Sequence, residues 1–307
     1  MRLYTHPDCL LHDTGPGHPE SIDRLRITLE ALREAYPPER WIEAPEASQQ
    51  QLLRVHSPAH IHRILDDPRP EPHRIDPDTV VDAHSARAAL RAAGAACAAV
   101  DAAIDGDQPR AFCLVRPPGH HANRDEVMGF CLFNSVAVGA AQALAVHRLE
   151  RVAIVDFDVH HGNGTQDIFW DEPRVFYLSS HQSALYPQTG LRDERGANGR
   201  NILNAPLPRG ADGAALRRLY EQRLLPALDD FRPQLLLISA GFDAHKSDPL
   251  GGLLLDTDDF AWLTGELVAI ARRHAGGRVV SVLEGGYDLD ALRECCLAHA
   301  QALDDHT

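Results

Sequence analysis

The chain has 307 residues, of which 44% are hydrophobic and 24% charged, and 30 Lys plus Arg against 44 Asp plus Glu give a formal charge of −14 at pH 7. This is the composition of a soluble globular chain with a sizeable core, and its length admits one large α/β domain or two average ones. The acidic balance argues against a nucleic-acid binder, whose affinity rests on clustered Lys and Arg, and favours cationic partners such as lysine-rich peptides or polyamines.

In chain order, the residues from Met1 to Asp8 lack the apolar stretch of a secretory signal. The Pro-rich stretch 67–77 reads as a loop. Downstream, short apolar runs at 111–115, 152–155, 175–178, 235–238 and 279–283 do not alternate with polar residues. Such runs suit strands buried on both faces of a parallel sheet. Between them, 85–104, 135–148, 214–231 and 257–274 carry helical patterns, with a shorter helix at 165–170. The charge-free run 129–146 is nearly long enough to span a bilayer, but it carries Asn134, Ser135 and Gln142 and reads as a buried strand end and helix. No repeat, linker or shift in composition divides the chain, so the expectation is a single doubly wound α/β domain over residues 1–307, with right-handed crossovers. The six cysteines (Cys9, Cys97, Cys113, Cys131, Cys295 and Cys296) show no C-x-x-C spacing. That argues against a thiolate zinc knuckle and a disulfide framework, and for a reducing cytoplasm. No membrane association is expected.

In a doubly wound sheet, ligands sit beyond the carboxyl ends of the strands. The residues that follow the apolar runs carry the chemistry. Val115 leads into Arg116-Pro117-Pro118-Gly119-His120-His121, and Val155 into Asp156-Phe157-Asp158-Val159-His160-His161-Gly162-Asn163-Gly164. Ile238 leads into Ser239-Ala240-Gly241-Phe242-Asp243, and Leu283 into Glu284-Gly285-Gly286-Tyr287.

Asp158 and His160 are one residue apart, so on an extended segment their side chains point the same way. Asp243 from a neighbouring strand end would complete a two-carboxylate, one-imidazole metal site with an open position, the pattern of catalytic zinc. Oxygen-rich ligation also suits Fe(II), Co(II) or Mn(II), with zinc preferred. An isolated Asp-x-Asp-x-His-His would read equally well as a solvated loop or helix cap; three other polar strand ends beside it favour the metal.

His120-His121, held by a stiff Pro-Pro-Gly turn, is a general-base candidate. Tyr287 could donate its phenol to a developing oxyanion, against the plainer reading of a core aromatic. Gly285-Gly286 implies close backbone approach or positive φ beside a cavity. His161 and Asn163 would orient rather than react, and Gly162 and Gly164 would serve the turn into the next helix. His56, His60, His62, His73, His147, His274, His299 and His306 have no matching partners and read as surface residues, and Cys295-Cys296 as helix packing.

At these four ordered segments the chain resembles the histone deacetylase family of zinc amidohydrolases, including its bacterial members and the acetylpolyamine amidohydrolases. The likeness runs from the stretch Gly17-His18-Pro19-Glu20-Ser21-Ile22-Asp23-Arg24-Leu25 to Tyr287. It implies an arginase-like α/β fold with a mainly parallel eight-stranded sheet flanked by helices. It also implies one Zn²⁺ bound by Asp158, His160 and Asp243, and His121 as the base that activates water and later protonates the amine. His120 would act electrostatically, and Tyr287 would bond the carbonyl and the oxyanion. Asp156 would brace His120 and share a structural K⁺ with Ser179 and the backbone carbonyls of Asp158, His160 and Ser180. Gly129, Phe130 and Tyr186 would line a narrow channel for an acyl-lysine side chain.

Three positions depart from the class I pattern. Asn163 stands in place of an Asp, as in class II members, and Tyr186 in place of a channel phenylalanine. Leu250 stands where a polyamine-selective relative carries Glu, which adds weight to lysine-type substrates. The implied activity is hydrolysis of Nε-acetyl-lysine in proteins or peptides. The alternatives are an acetylpolyamine or other small-molecule amidohydrolase, and a catalytically silent acyl-lysine binding module. An arginase-like hydrolase would need ligands for two manganese ions, and the sequence offers those for one catalytic metal. The short chain without a nuclear localisation run suggests a bacterial cytoplasmic enzyme; a homo-oligomer is left open.

Overall fold

The structure, a computed structural model, describes residues 1–67, 69–106 and 108–305. In chain order its elements are β1 (Arg2–Thr5), α1 (Ile22–Ala35), β2 (Trp41–Glu43), α2 (Gln49–Leu52), α3 (Pro58–Leu65), β3 (His73–Arg74), β4 (Val80–Val81) and α4 (Ser85–Asp105). There follow β5 (Arg110–Cys113), α5 (Ser135–Ala145), β6 (Val152–Asp156), α6 (Asn163–Ile168), β7 (Val175–Ser179), β8 (Ile202–Asn204), α7 (Gly213–Leu219) and α8 (Leu225–Phe231). The chain closes with β9 (Leu235–Ala240), α9 (Thr257–His274), β10 (Val279–Leu283) and α10 (Leu289–Asp304).

All five apolar runs are strands, and every residue of β5, β6, β7, β9 and β10 is buried, which is why their sequences do not alternate. Together with β1, β2 and β8 they form an eight-stranded sheet in the order β2-β1-β5-β10-β9-β6-β7-β8. Every neighbouring pair in it is parallel. The fold is thus the sheet flanked by helices that the sequence implied. The chain winds outward on both sides before β9 and β10 return to the middle. That order puts β5, β10, β9 and β6 side by side, and these four strands carry the chemistry-bearing loops at their carboxyl ends.

Alanine dominates the buried face of α4, and small side chains let that helix lie close to the sheet and to α5. Polar caps set several boundaries: Asn134 accepts from the Ala137 N–H ahead of α5, and Asp288 from the Ala291 N–H ahead of α10.

Some expectations give way. The run 129–134 is not a strand end; Met128 and Cys131 make an isolated bridge, and Phe130 turns the chain with φ of 69°. Helix 214–231 is interrupted by a π turn at Tyr220–Leu224, because Pro226 at the start of α8 has no N–H to give to the preceding turn. The short helix begins at Asn163 rather than at 165. Within 67–77, where Pro68 lies outside the described residues, β3 pairs antiparallel with β4.

His56, His60 and His299 are buried, not on the surface. Each bonds groups distant in sequence: His56 donates from Nδ1 to the Asn123 carbonyl and accepts the Asn134 N–H, and His60 bonds the Leu132 carbonyl through Nε2 while its Nδ1 stays without a hydrogen-bond partner. His299 lies between the Thr264 and Ser281 hydroxyls at 2.7 and 2.8 Å. His62, His73, His147 and His274 pair with Asp66, Asp67, Asp101 and Asp229. His306 lies outside the described residues. Cys295 and Cys296 pack inside α10 as expected, and all six cysteines are buried and free. Among the described residues no helix is long and apolar enough to cross a membrane.

Burial without a carboxylate partner pushes His56 and His299 down to about 3. The unfolded chain takes up protons at these sites below about pH 6.5 while the folded chain does not, so their contribution falls as pH drops from 6.5 toward 3. Replacing His299 by Asn should flatten the fall of unfolding free energy across this window by about 1.4 kcal/mol per pH unit. Denaturant titrations at successive pH values read the slope; identical slopes for the two proteins would show that His299 is charged in the fold.

Candidate metal centre and active site

The end of β6 does not run on as strand. Asp158 Oδ1 accepts the His160 backbone N–H at 2.9 Å and bends the chain. The expected same-side placement of these two residues therefore arises from a turn rather than from an extended segment. His160 Nδ1 lies 3.0 Å from Asp158 Oδ1 and 3.0 Å from Asp243 Oδ2, which arrives from the turn after β9. Ligand atoms of the three residues all lie within 4.8 Å of one another. The far carboxylate oxygens are fixed by backbone: Asp158 Oδ2 accepts the Gly285 N–H at 2.9 Å and Asp243 Oδ1 the Val159 N–H at 2.8 Å. Gly241 and Gly285 are required by this approach, since their Cβ atoms would lie 2.0 Å from Asp158 Oδ2 and 2.2 Å from Asp243 Oδ2.

Burying two carboxylates this close is unfavourable unless positive charge sits between them. Burial alone would lower His160, but the hydrogen bonds its Nδ1–H donates to Asp158 and Asp243 prevail and raise it to about 10. Burial and the Asp158 charge push Asp243 up to about 7. Asp158, also desolvated, is nevertheless held below the carboxylate range by His120 and His160. The imidazolium proton thus stands where a cation would stand. Two carboxylates and one imidazole, with one side facing a channel, are a donor set that fits a single divalent ion.

The loop after β5 supplies the histidine pair. Glu284, at the end of β10, accepts the backbone N–H groups of Gly119 and His120 at 2.6 and 3.1 Å and so ties this loop to the neighbouring strand. His120 Nδ1 lies 3.0 Å from Asp156 Oδ2, while His121 Nδ1 lies 2.8 Å from Asn163 Oδ1. The rings are 4.1 Å apart yet electrostatically opposite. His120 is desolvated, but Asp156, Asp158 and Glu284 outweigh burial and hold it well above the ordinary imidazole value. Burial, with His120 and His160 close by, holds His121 well below it. His121 is the neutral member, its Nδ1–H donated to Asn163.

A cavity of about 240 Å³ opens onto this floor, lined by His121, His160 and Tyr287 below and by Gly129, Phe130, Tyr186, Leu185, Leu250 and Asp78 above. All four channel residues expected from the sequence line it. Tyr287 reaches it because Gly286 turns the chain with φ of 122°. Asp156 and Ser179 pair across β6 and β7, and the Ser180 N–H donates to the Asp156 carbonyl. The Ser179 hydroxyl meets His181 at 2.9 Å and that of Ser180 meets Tyr220 at 2.9 Å. His161 makes no contact with the ligand atoms; its ring bonds Thr189 and Gln166.

Sequence reading assigned no role to several residues that hold the site together. Arg24 is fully buried; it donates Nε to the Gly286 carbonyl at 2.6 Å, pairs with Glu20 at 2.9 Å, and stacks its guanidinium 4.9 Å from the Tyr287 ring. Glu20 in turn pairs with Arg116 at 2.7 Å. Asp248 accepts the backbone N–H groups of Tyr287 at 2.6 Å and Leu250 at 2.9 Å, joining two sides of the channel. Asp78 takes the Gly129 N–H at 3.1 Å. Asp248 stands two residues before the channel residue Leu250 in the sequence, but its partner Tyr287 lies 39 positions away.

The chain is 33% identical to the type-2 histone deacetylase 2 of Dictyostelium discoideum over 98% of its own length, but it spans only 20% of that protein. It is 41% identical to the histone deacetylase-like amidohydrolase of Pseudomonas aeruginosa, over 85% of this chain and 69% of that one. The crystal structure of the HDA15 HD domain superposes with a TM-score of 0.92 at 35% identity, covering 98% of this chain and 87% of that one. The histone deacetylase domain matches residues 18–303, and on that match the chain belongs to the histone deacetylase family.

Proposed function

We propose that this hydrolase of the histone deacetylase family cleaves the amide of Nε-acetyl-lysine in proteins or peptides and releases acetate. The observation that carries the reading is the placement of the Asp158–His160–Asp243 cluster, the neutral His121 and Tyr287 around the floor of one narrow channel. An extended aliphatic side chain fits its largely apolar walls, and Leu250 presents no carboxylate to a second ammonium.

Asp158, His160 and Asp243 would hold the zinc ion, which when bound supplies Lewis acidity toward the carbonyl and lowers the pKa of water. His121 takes the proton of the attacking water at the ring nitrogen not donated to Asn163, then passes it to the departing lysine amine as the C–N bond breaks. His120, held cationic by Asp156, stabilises negative charge developing beside it. Tyr287 donates its phenol to the carbonyl oxygen as that oxygen becomes an anion. Asp156, Ser179 and the carbonyls of Asp158, His160 and Ser180 would hold the potassium ion, an oxygen-rich set suited to a hard cation. A reducing, cytoplasmic setting goes with this reading.

Zinc-loaded protein should release acetate from acetyl-lysine peptides faster than from acetylputrescine or acetylspermidine; the reverse order would make the chain a polyamine amidohydrolase, and no release from any of them a binding module. Tyr287→Phe should lower kcat by about 10²-fold or more, and near-normal turnover would remove it from the oxyanion role. Asp243→Ala should lose metal, measured by elemental analysis, whereas His121→Ala should keep metal and lose turnover. Retained activity in His121→Ala would move the base to His120.

A further inference from the structure

Tyr186 sits on the loop 183–190, which has little packing of its own: Ser183, Ala184, Gln188 and Thr189 are exposed. Ala184 and Gln188 also hold φ of 58° and 65°, a region that L side chains rarely adopt. Something outside the loop must hold it in place. Beneath it lie two imidazoles, His161 and His181, both buried, with ring centroids 4.8 Å apart. His161 Nδ1 meets the Thr189 hydroxyl at 2.8 Å and His181 Nε2 meets the Gly190 carbonyl at 3.1 Å. Their other nitrogens are fixed from below, His161 by Gln166 at 3.0 Å and His181 by Ser179 at 2.9 Å. Gly190, at φ of 81°, lies so flat on this pair that a Cβ there would come within 2.6 Å of both rings. On the other side of the same loop, the Tyr186 ring faces His121 at 5.3 Å and His160 at 6.3 Å.

We infer that His161 and His181 are positioning residues: together they form the seat of the Tyr186 loop and so set the width of the channel and the affinity for the acyl-lysine side chain. This deepens the acyl-lysine reading and rests on it. His161 follows the metal ligand His160 in the chain, so one backbone segment carries both the ligand and the support of the opposing wall. Thr189 and Gly190 are the loop's contact points on the seat, and neither touches the metal cluster.

The test compares the zinc-loaded wild type with Thr189→Val, Gly190→Ala and His161→Phe. Losing one hydrogen bond that holds the wall should raise KM for an acetyl-lysine peptide roughly three- to tenfold. For Thr189→Val, kcat and zinc content should stay within about twofold, and hydrogen exchange across 183–190 should quicken. Gly190→Ala should do the same, and Thr189→Val added to His161→Phe should add little, because both remove one contact. Unchanged exchange in Thr189→Val and Gly190→Ala would overturn the seat. Faster exchange with unchanged KM would overturn its control of affinity. Loss of zinc in His161→Phe with normal exchange would show that His161 acts through its neighbour His160. A wild type inactive on acetyl-lysine would sink the acyl-lysine reading and the affinity claim with it, while the exchange comparison would still decide the seat.

Discussion

Two buried carboxylates aimed at one imidazole are the constraint around which the rest of this molecule is arranged. Asp158 and Asp243 are both buried, and each approaches His160 Nδ1 to 3.0 Å. Such an arrangement is costly without a cation, and the backbone nevertheless commits three N–H groups, from Val159, His160 and Gly285, to keep it in place. Glycines at 241 and 285 clear the space. A chain gains nothing in stability from this geometry that an apolar pocket would not supply better, which favours a binding role for it.

The sheet makes the convergence possible. Because β9 and β10 return between β5 and β6, four loops distant in sequence meet over one short row of strand ends. Buried ionic groups then lock the loops to each other. Glu284 fixes the histidine turn, Glu20 binds Arg116 and Arg24, and Arg24 holds the turn that presents Tyr287. Removing one member would leave its partner charged and unpaired in the interior, which is more damaging than the loss of the contact itself. The different states of His120 and His121 follow from the same arrangement, since Asp156 faces one ring and the neutral amide of Asn163 the other.

Much of this was legible in the sequence for a physical reason. Strands covered on both faces must be apolar throughout, so β5, β6, β7, β9 and β10 stand out as short unbroken runs, and the polar residues directly after them mark the functional edge. The short strands toward the two sides of the sheet give no such signal: β1, β2 and β8 have three or four residues each. Side chains whose meaning lies in a distant partner were also hidden. His56 and His60 look like any surface histidine until Asn123, Asn134 and Leu132 surround them, and Asp78 has a role only because Gly129 folds onto it. The Asp158–His160 pairing was anticipated through an extended segment, yet a side-chain-to-backbone bond bends it into place.

Membership in the histone deacetylase family rests on the domain match and on relatives over most of the chain, whereas the metal-binding role proposed for the three residues rests on their geometry. X-ray diffraction at the zinc absorption edge on zinc-soaked crystals addresses that role most directly. The account predicts a single strong anomalous peak between Asp158, His160 and Asp243 that is lost from Asp243→Ala crystals. A peak elsewhere, or none between those side chains at full zinc loading, would contradict it.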